Sequence, residues 1–266
     1  MKHSNTEFAE IAERGTILRT QVGSGVHGTA IAGTDDRDEM GLCIEPPEFV
    51  IGLRTFEQYI YRTAAERTGN PDARSEAGDL DLTVYSLRKW LRLALQGNPT
   101  VLVPLFAPDS EVVVITPLGV DLRANVDMIV SRQAGKRFIG YLRGQRERML
   151  NGTVDKRVNR PELIERYGFD TKYASHMVRL GVQGVELLET GTMTLPMPEP
   201  WLTWIRDLRQ GLHTQQEAID VAADLEVRLE TLTRTSSLAE HPDMKRADRW
   251  LIDAYQSTWA AQGAAA

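Results

Sequence analysis

Two regimes of hydrophobic patterning divide the chain. Up to Pro117, short runs in which apolar and polar residues alternate are interleaved with single helices; beyond it the spacing turns helical and no strand pattern returns. Strands are predicted over 16–22, 38–44, 58–62, 79–85 and 111–115. The fourth alternates strictly, with Asp79, Asp81, Thr83 and Tyr85 on one face and Leu80, Leu82 and Val84 on the other. A first helix over 4–13 is capped by Ser4 or Asn5, sets Phe8, Ile11 and Ala12 on one face and stops at Gly15. Another over 86–97 starts at Ser86, stops at Gly97 and buries Leu87, Trp90, Leu91, Ala94 and Leu95. A short helix follows from Asn98-Pro99 through Leu105.

Between these elements, 46–53 reads as a packed flap. The polar stretch 63–78, with Gly69, Pro71 and Gly78, reads as a mobile loop near the site. Past the boundary, helices are predicted over 119–132, 135–150, 171–190, 198–211, 214–234 and 243–260, where Trp201, Trp204, Trp250 and Trp259 read as core. The expected architecture is α+β: a mixed lobe over 1–117, then an all-helical lobe over 118–266.

Composition narrows the class. The chain has 266 residues, 42% of them apolar, enough for a sizeable core. No apolar run approaches the roughly 20 residues that span a bilayer, and Met-Lys-His-Ser-Asn-Thr-Glu is no signal peptide, so a cytoplasmic protein without membrane contact is expected. The single cysteine, Cys43, excludes an internal disulfide and a cysteine-rich zinc site. The net charge of −6 is uneven, because 132–179 carries 12 Lys and Arg against 5 Asp and Glu. A basic segment in an acidic protein suits a phosphate-bearing substrate; a solvated helical face has the same composition.

The candidate chemistry lies near the start. Gly23-Ser24 ends the first strand and opens a one- or two-turn helix carrying His27, whose backbone N–H groups can meet a phosphate. A dozen residues on, Asp36 and Asp38 stand two apart at the head of an apolar strand, so both carboxylates face one way and can bind divalent metal. Asp79 or Asp81 can bring a third. Each part alone is common on turns and strand ends. Together they form a phosphate cradle beside a carboxylate metal site. Lys172, His176 and Arg179 make a second cluster, within about 60° of arc on one helix face. Arg88 and Lys89 are lesser candidates. No Gly-x-Ser-x-Gly elbow, Walker-type Gly-Lys-Ser or His-x-x-x-His spacing supports a hydrolase, P-loop or zinc reading.

Order and spacing of Gly23-Ser24, Asp36-x-Asp38 and a later acid resemble the DNA polymerase β nucleotidyltransferase superfamily. Further blocks are similar to its RNA-repair-pathway-associated (RlaP-like) branch: Tyr85-Ser86-Leu87-Arg88-Lys89 leading to Gly97-Asn98-Pro99, Phe138-Ile139-Gly140-Tyr141 with Gln145, Asn159-Arg160-Pro161-Glu162-Leu163, and Tyr167-Gly168-Phe169-Asp170-Thr171-Lys172-Tyr173-Ala174-Ser175-His176 with Arg179-Leu180 and Glu186-Leu187-Leu188. The resemblance runs from about residue 15 to 200 and implies a catalytic lobe followed by a helical substrate lobe.

It also implies transfer of a nucleoside monophosphate from a nucleoside triphosphate to a hydroxyl with Mg²⁺ or Mn²⁺. Asp36, Asp38 and Asp81 would act as catalytic metal ligands, Gly23 and Ser24 would hold the β- and γ-phosphates, and Lys172, His176 and Arg179 would bind nucleotide or acceptor phosphate. An RNA end is the expected acceptor, with a protein hydroxyl or a small molecule as alternatives. Two departures stand out. Arg37 and Glu39 occupy positions where the family usually has apolar residues, and they would pair on the opposite strand face. The connection before the acids is one residue longer, which leaves Asp35 as an alternative to Asp36. The competing reading, drawn from Arg37 and Glu39, is a non-catalytic nucleotide- or RNA-binding module.

Overall fold

The computed structural model describes residues 3–31, 33, 36–151 and 160–264. Five strands form one mixed sheet in the order β3-β4-β2-β1-β5, with β1 Thr16–Gln21, β2 Arg37–Cys43, β3 Gln58–Arg62, β4 Leu80–Ser86 and β5 Val112–Ile115. Only β2 and β4 run parallel; the other pairs are antiparallel. All five predicted strands are present to within a residue or two. Helices α1 Thr6–Gly15, α2 Gly23–Val26, α3 Thr63–Thr68, α4 Leu87–Leu95, α5 Pro99–Phe106 and α6 Pro117–Ala124 fill the connections.

By packing, the chain forms two compact units. The first comprises residues up to Leu95, Val101–Ile129 and the stretch from Asp243 onward; the second comprises Gln96–Thr100 and Val130–Pro242.

In the first unit, Asn5 caps α1 by accepting a 2.8 Å hydrogen bond from the Phe8 N–H, and the turn presents Phe8 edge-on to Phe49 and Phe56. These aromatics cover the sheet face carrying Leu82 and Val84, and Cys43 is buried in the same cluster. Helix α4 buries the predicted stripe, and the Trp90 indole N–H donates to the Val101 carbonyl at 2.9 Å. Helix α12, Met244–Ala264, also belongs to this unit. The Tyr255 hydroxyl donates to the buried Glu45 carboxylate at 2.7 Å, and the Trp259 indole N–H donates to the Glu45 carbonyl at 3.0 Å. Burial pushes the Glu45 carboxyl above its ordinary value, and the Tyr255 hydrogen bond offsets part of that rise.

The second unit is built on α9 Thr171–Thr190, packed between α7 Ala134–Asn151 and α11 Gln215–Thr235, with α8 Pro161–Tyr167 and α10 Trp201–Arg209 alongside. Gly184 lets α9 approach closely. A Cβ there would lie 2.7 Å from Phe138 and 2.9 Å from Leu229, inside van der Waals contact on both sides. Asp170 caps α9 by accepting from the N–H groups of Lys172 and Tyr173, and Thr214 with Glu217 makes a reciprocal capping box on α11.

Four details depart from the sequence reading. Residues 63–68 are helical, since Thr63 bonds the Leu80 strand end and Gly69 closes the turn with positive φ. The helix expected over 119–132 ends at Ala124, after which Val126–Met128 forms a 3₁₀ turn, and α8 carries too little periodicity to be seen beforehand. The four C-terminal tryptophans are half-buried rather than core. Trp250 and Trp259 lie where their indole N–H groups reach an acceptor, Asp121 in the first case. Among the described residues no helix is long and apolar enough to cross a membrane.

Candidate active site

The parallel pairing of β2 with β4 sets Asp38 directly opposite Asp81. Asp36, two residues ahead of Asp38 and immediately before β2, projects to the same side. One carboxylate oxygen from each of Asp36, Asp38 and Asp81 falls within 4.8 Å of the others, and all three residues are half-buried. Oxygens bound to a single Mg²⁺ at about 2.1 Å lie roughly 3–4.2 Å apart, so small side-chain rotations bring this trio to octahedral spacing. The all-oxygen donor set suits a hard divalent cation such as Mg²⁺ or Mn²⁺. Asp35, the alternative to Asp36, lies outside the described residues.

Asp79, the other third-acid candidate, is committed elsewhere. It is buried, accepts from the two terminal Arg67 guanidinium nitrogens, Nη1 and Nη2, at 2.7 and 3.1 Å, and accepts the Glu76 N–H at 2.9 Å. The Glu76 N–H and Arg67 hold its carboxyl below the usual carboxylate range. It fastens the 69–78 connection to the head of β4.

Gly23 and Ser24 open α2 directly beside Asp38. The Val22 N–H donates to the Asp38 carbonyl at 2.8 Å, so the turn grows out of the β1–β2 ladder. Gly23 has φ +67°, and a Cβ at this position would lie 2.1 Å from Asp38 Oδ2. His27 is buried at the end of α2 and does not belong to the acid cluster.

Arg37 and Glu39 pair as expected, at 2.6 Å. Arg19 of β1 joins them, 2.5 Å from the other Glu39 oxygen. Because side chains alternate along β2, this buried carboxylate with its two guanidiniums occupies the face opposite Asp38. The charges that depart from the family pattern therefore leave the acid face untouched.

Sequence reasoning missed Arg62. Paired with Asp81 across β3 and β4, it donates from Nε to Asp81 Oδ2 at 3.1 Å and from its other nitrogens to the Pro71 carbonyl and Ser75 Oγ, each at 2.9 Å. The Ser75 hydroxyl donates in turn to Asp81 Oδ1 at 2.8 Å. Both Asp81 oxygens thus carry a partner. Nothing in the local pattern marks Arg62, since its role depends on strand register. Lys89 bonds Glu57 and Gln58 on the same sheet edge.

In the second unit, Lys172, His176 and Arg179 share a face of α9 as predicted. Burial and then the surrounding cations Arg179, Lys172, Arg160 and Arg209 hold the His176 imidazole well below its ordinary value, so it is neutral at pH 7. Burial lowers the Arg179 guanidinium to about 10, which leaves it charged, and it donates to Gln183 Oε1 at 2.9 Å. Arg160 stacks on the Tyr173 ring at 4.4 Å and pairs with Asp170 at 3.0 Å. Part of the wider basic excess of 132–179 is paired across helices. Arg143 and Arg146 pair with Glu226, and Arg143 also pairs with Glu230.

Comparison with known proteins identifies a family. The chain matches the family described as the RNA repair pathway DNA polymerase beta family over residues 1–253. Among solved structures it is similar to a nucleotidyltransferase-like protein from Exiguobacterium sibiricum, with 12% identity and a TM-score of 0.30 over 86% of this chain and 72% of that one. No curated protein matches.

Proposed function

The chain belongs to the RNA repair pathway DNA polymerase beta family, and from that premise we propose that it is a Mg²⁺- or Mn²⁺-dependent nucleotidyltransferase. It would move a nucleoside monophosphate from a nucleoside triphosphate to the hydroxyl of an RNA end. The observation that carries this reading is the convergence of Asp36, Asp38 and Asp81 within 4.8 Å of one another, beside the Gly23-Ser24 turn.

In the reaction, the acceptor oxygen bonds to the α-phosphorus as the bond to pyrophosphate breaks, and the hydroxyl proton passes to solvent. Bound divalent metal would supply charge stabilisation for the attacking and leaving oxygens. Asp36 and Asp38 would hold that metal, and Asp81 would complete the set on the acceptor side. Backbone N–H groups at Gly23 and Ser24 would orient the β- and γ-phosphates. Lys172 and Arg179 would offer cationic donors to a phosphate, with neutral His176 as a further hydrogen-bonding group. Most of the rate enhancement then comes from positioning and fixed charge.

The test is incubation with each labelled nucleoside triphosphate, total RNA and Mg²⁺ or Mn²⁺, with Asp36→Ala/Asp38→Ala as control. Label entering RNA, and falling by about 10²-fold or more in the control, supports the proposal. Label on protein would replace the RNA acceptor with a protein hydroxyl. Absence of label, together with metal-independent nucleotide binding, would overturn catalysis altogether.

A further inference from the structure

The second unit holds an aromatic pocket that the transfer reaction leaves unused. Trp201 and Trp204, three apart on α10, meet edge to face with ring centroids 6.2 Å apart at 74°. The His213 imidazole stacks on Trp204 at 4.4 Å and 21°. With Asp207 and Val221 they line a cavity of about 390 Å³.

Helix α10 turns Ile205, Leu208 and Arg209 inward and leaves both indoles half-buried. A packed aromatic side chain buries about 150–250 Å², so two half-exposed tryptophans on one short helix forgo a substantial part of that stabilisation. Asp207 lies three residues beyond Trp204 on the same lining. Among the described residues its carboxylate forms no ion pair or hydrogen bond.

The faces of two indoles are electron-rich, and a carboxylate adds a full negative charge. Both features favour a positive guest. A flat nucleobase sandwiched between both indoles fits poorly here, because that arrangement needs two parallel walls. These walls meet at 74°, and one face of Trp204 is already covered by His213. A compact cation suits the corner between them.

We propose that this pocket binds an alkylammonium group, contributed by a free amine or by a lysine side chain of a peptide. The inference does not depend on the transfer reaction.

Indole fluorescence of the full chain, titrated at constant ionic strength, tests it. The probes are tetramethylammonium, spermidine, a lysine-containing peptide and, as nucleobase control, adenosine monophosphate. The expected result is a saturable response to tetramethylammonium that weakens by about tenfold or more in Asp207→Asn and is lost in Trp204→Ala. The tighter of spermidine and the peptide identifies the source of the ammonium group. Asp207→Asn preserves the shape of the side chain, so its outcome stands even where Trp204→Ala fails to fold. No saturable response to any cation, an equal response in Asp207→Asn, or binding of adenosine monophosphate in preference to the cations would overturn the proposal.

Discussion

Gly23 and Asp38 occupy one small volume: the position of a Cβ on Gly23 lies 2.1 Å from Asp38 Oδ2. The turn proposed to meet phosphate and the carboxylate proposed to meet metal are therefore set against each other by the backbone alone. Gly23→Ala has to push Asp38 aside and also hold a side chain at φ +67°, which costs about 1–2 kcal/mol. We expect a folded protein by circular dichroism, with Mn²⁺ affinity and transfer both reduced by about tenfold or more. Unchanged Mn²⁺ binding would show that Asp38 can move without consequence.

Arg62 places a guanidinium on Asp81 where a metal ion would place its own charge. Arg62→Ala removes this competitor. Both groups are partly exposed, so the pair is worth about 0.2–1 kcal/mol, and metal affinity should rise by roughly 1.4- to 5-fold. Calorimetric titration with Mn²⁺ reads this directly, and a fall in affinity would show that Arg62 supports Asp81 instead.

His176 predicts an acid-side instability. Its folded value is depressed, so as pH falls through the ordinary value of about 6.5 the unfolded chain takes up a proton that the folded chain refuses. Stability then drops by at most about 1.4 kcal/mol per pH unit from this group, and above that range the group contributes no pH dependence. His176→Gln should show a shallower loss of melting temperature between about pH 7 and 5. Nuclear magnetic resonance should also find the His176 titration moving upward when nucleoside triphosphate is added, if a phosphate binds on this face. A shift confined to the other histidines would argue against contact.

Glu39, held by Arg19 and Arg37 on the far face of β2, separates structure from chemistry. Glu39→Ala strands two guanidiniums around a buried position and should cost about 1–2 kcal/mol of stability, reduced from a fully buried case by the exposure of both arginines. Transfer measured well below the melting temperature should stay within about twofold of wild type. A large loss of activity in a well-folded variant would tie this trio to the reaction.

Much of the fold and the acid cluster was legible in the sequence because both rest on local rules. Period-two alternation and short apolar runs located all five strands, and Asp36 and Asp38 share a face through strand alternation. Choosing Asp81 over Asp79 needed more: Arg67, a dozen residues away, claims Asp79, and only register brings Asp81 opposite Asp38. Arg62 was invisible for the same reason. Counting charge along 132–179 also overlooks Glu226 and Glu230, which pair with Arg143 and Arg146 from α11, because pairing between helices is set by tertiary packing. Trp201 and Trp204 have the spacing of a core stripe, and which way such a stripe faces is decided by tertiary packing.

The tie between Tyr255 and Glu45 has a consequence for how the protein is made. Glu45 emerges from the ribosome just behind β2, while its partner helix is encoded after the whole of Val130–Pro242. At ~5–20 residues per second, that intervening stretch of roughly 110 residues takes about 6–22 s to synthesise. During this interval the nascent sheet holds an acidic group with its closing hydroxyl still untranslated. Production of this protein is thus a matter of waiting as well as of folding, because the first unit can close only after the helical unit has been translated.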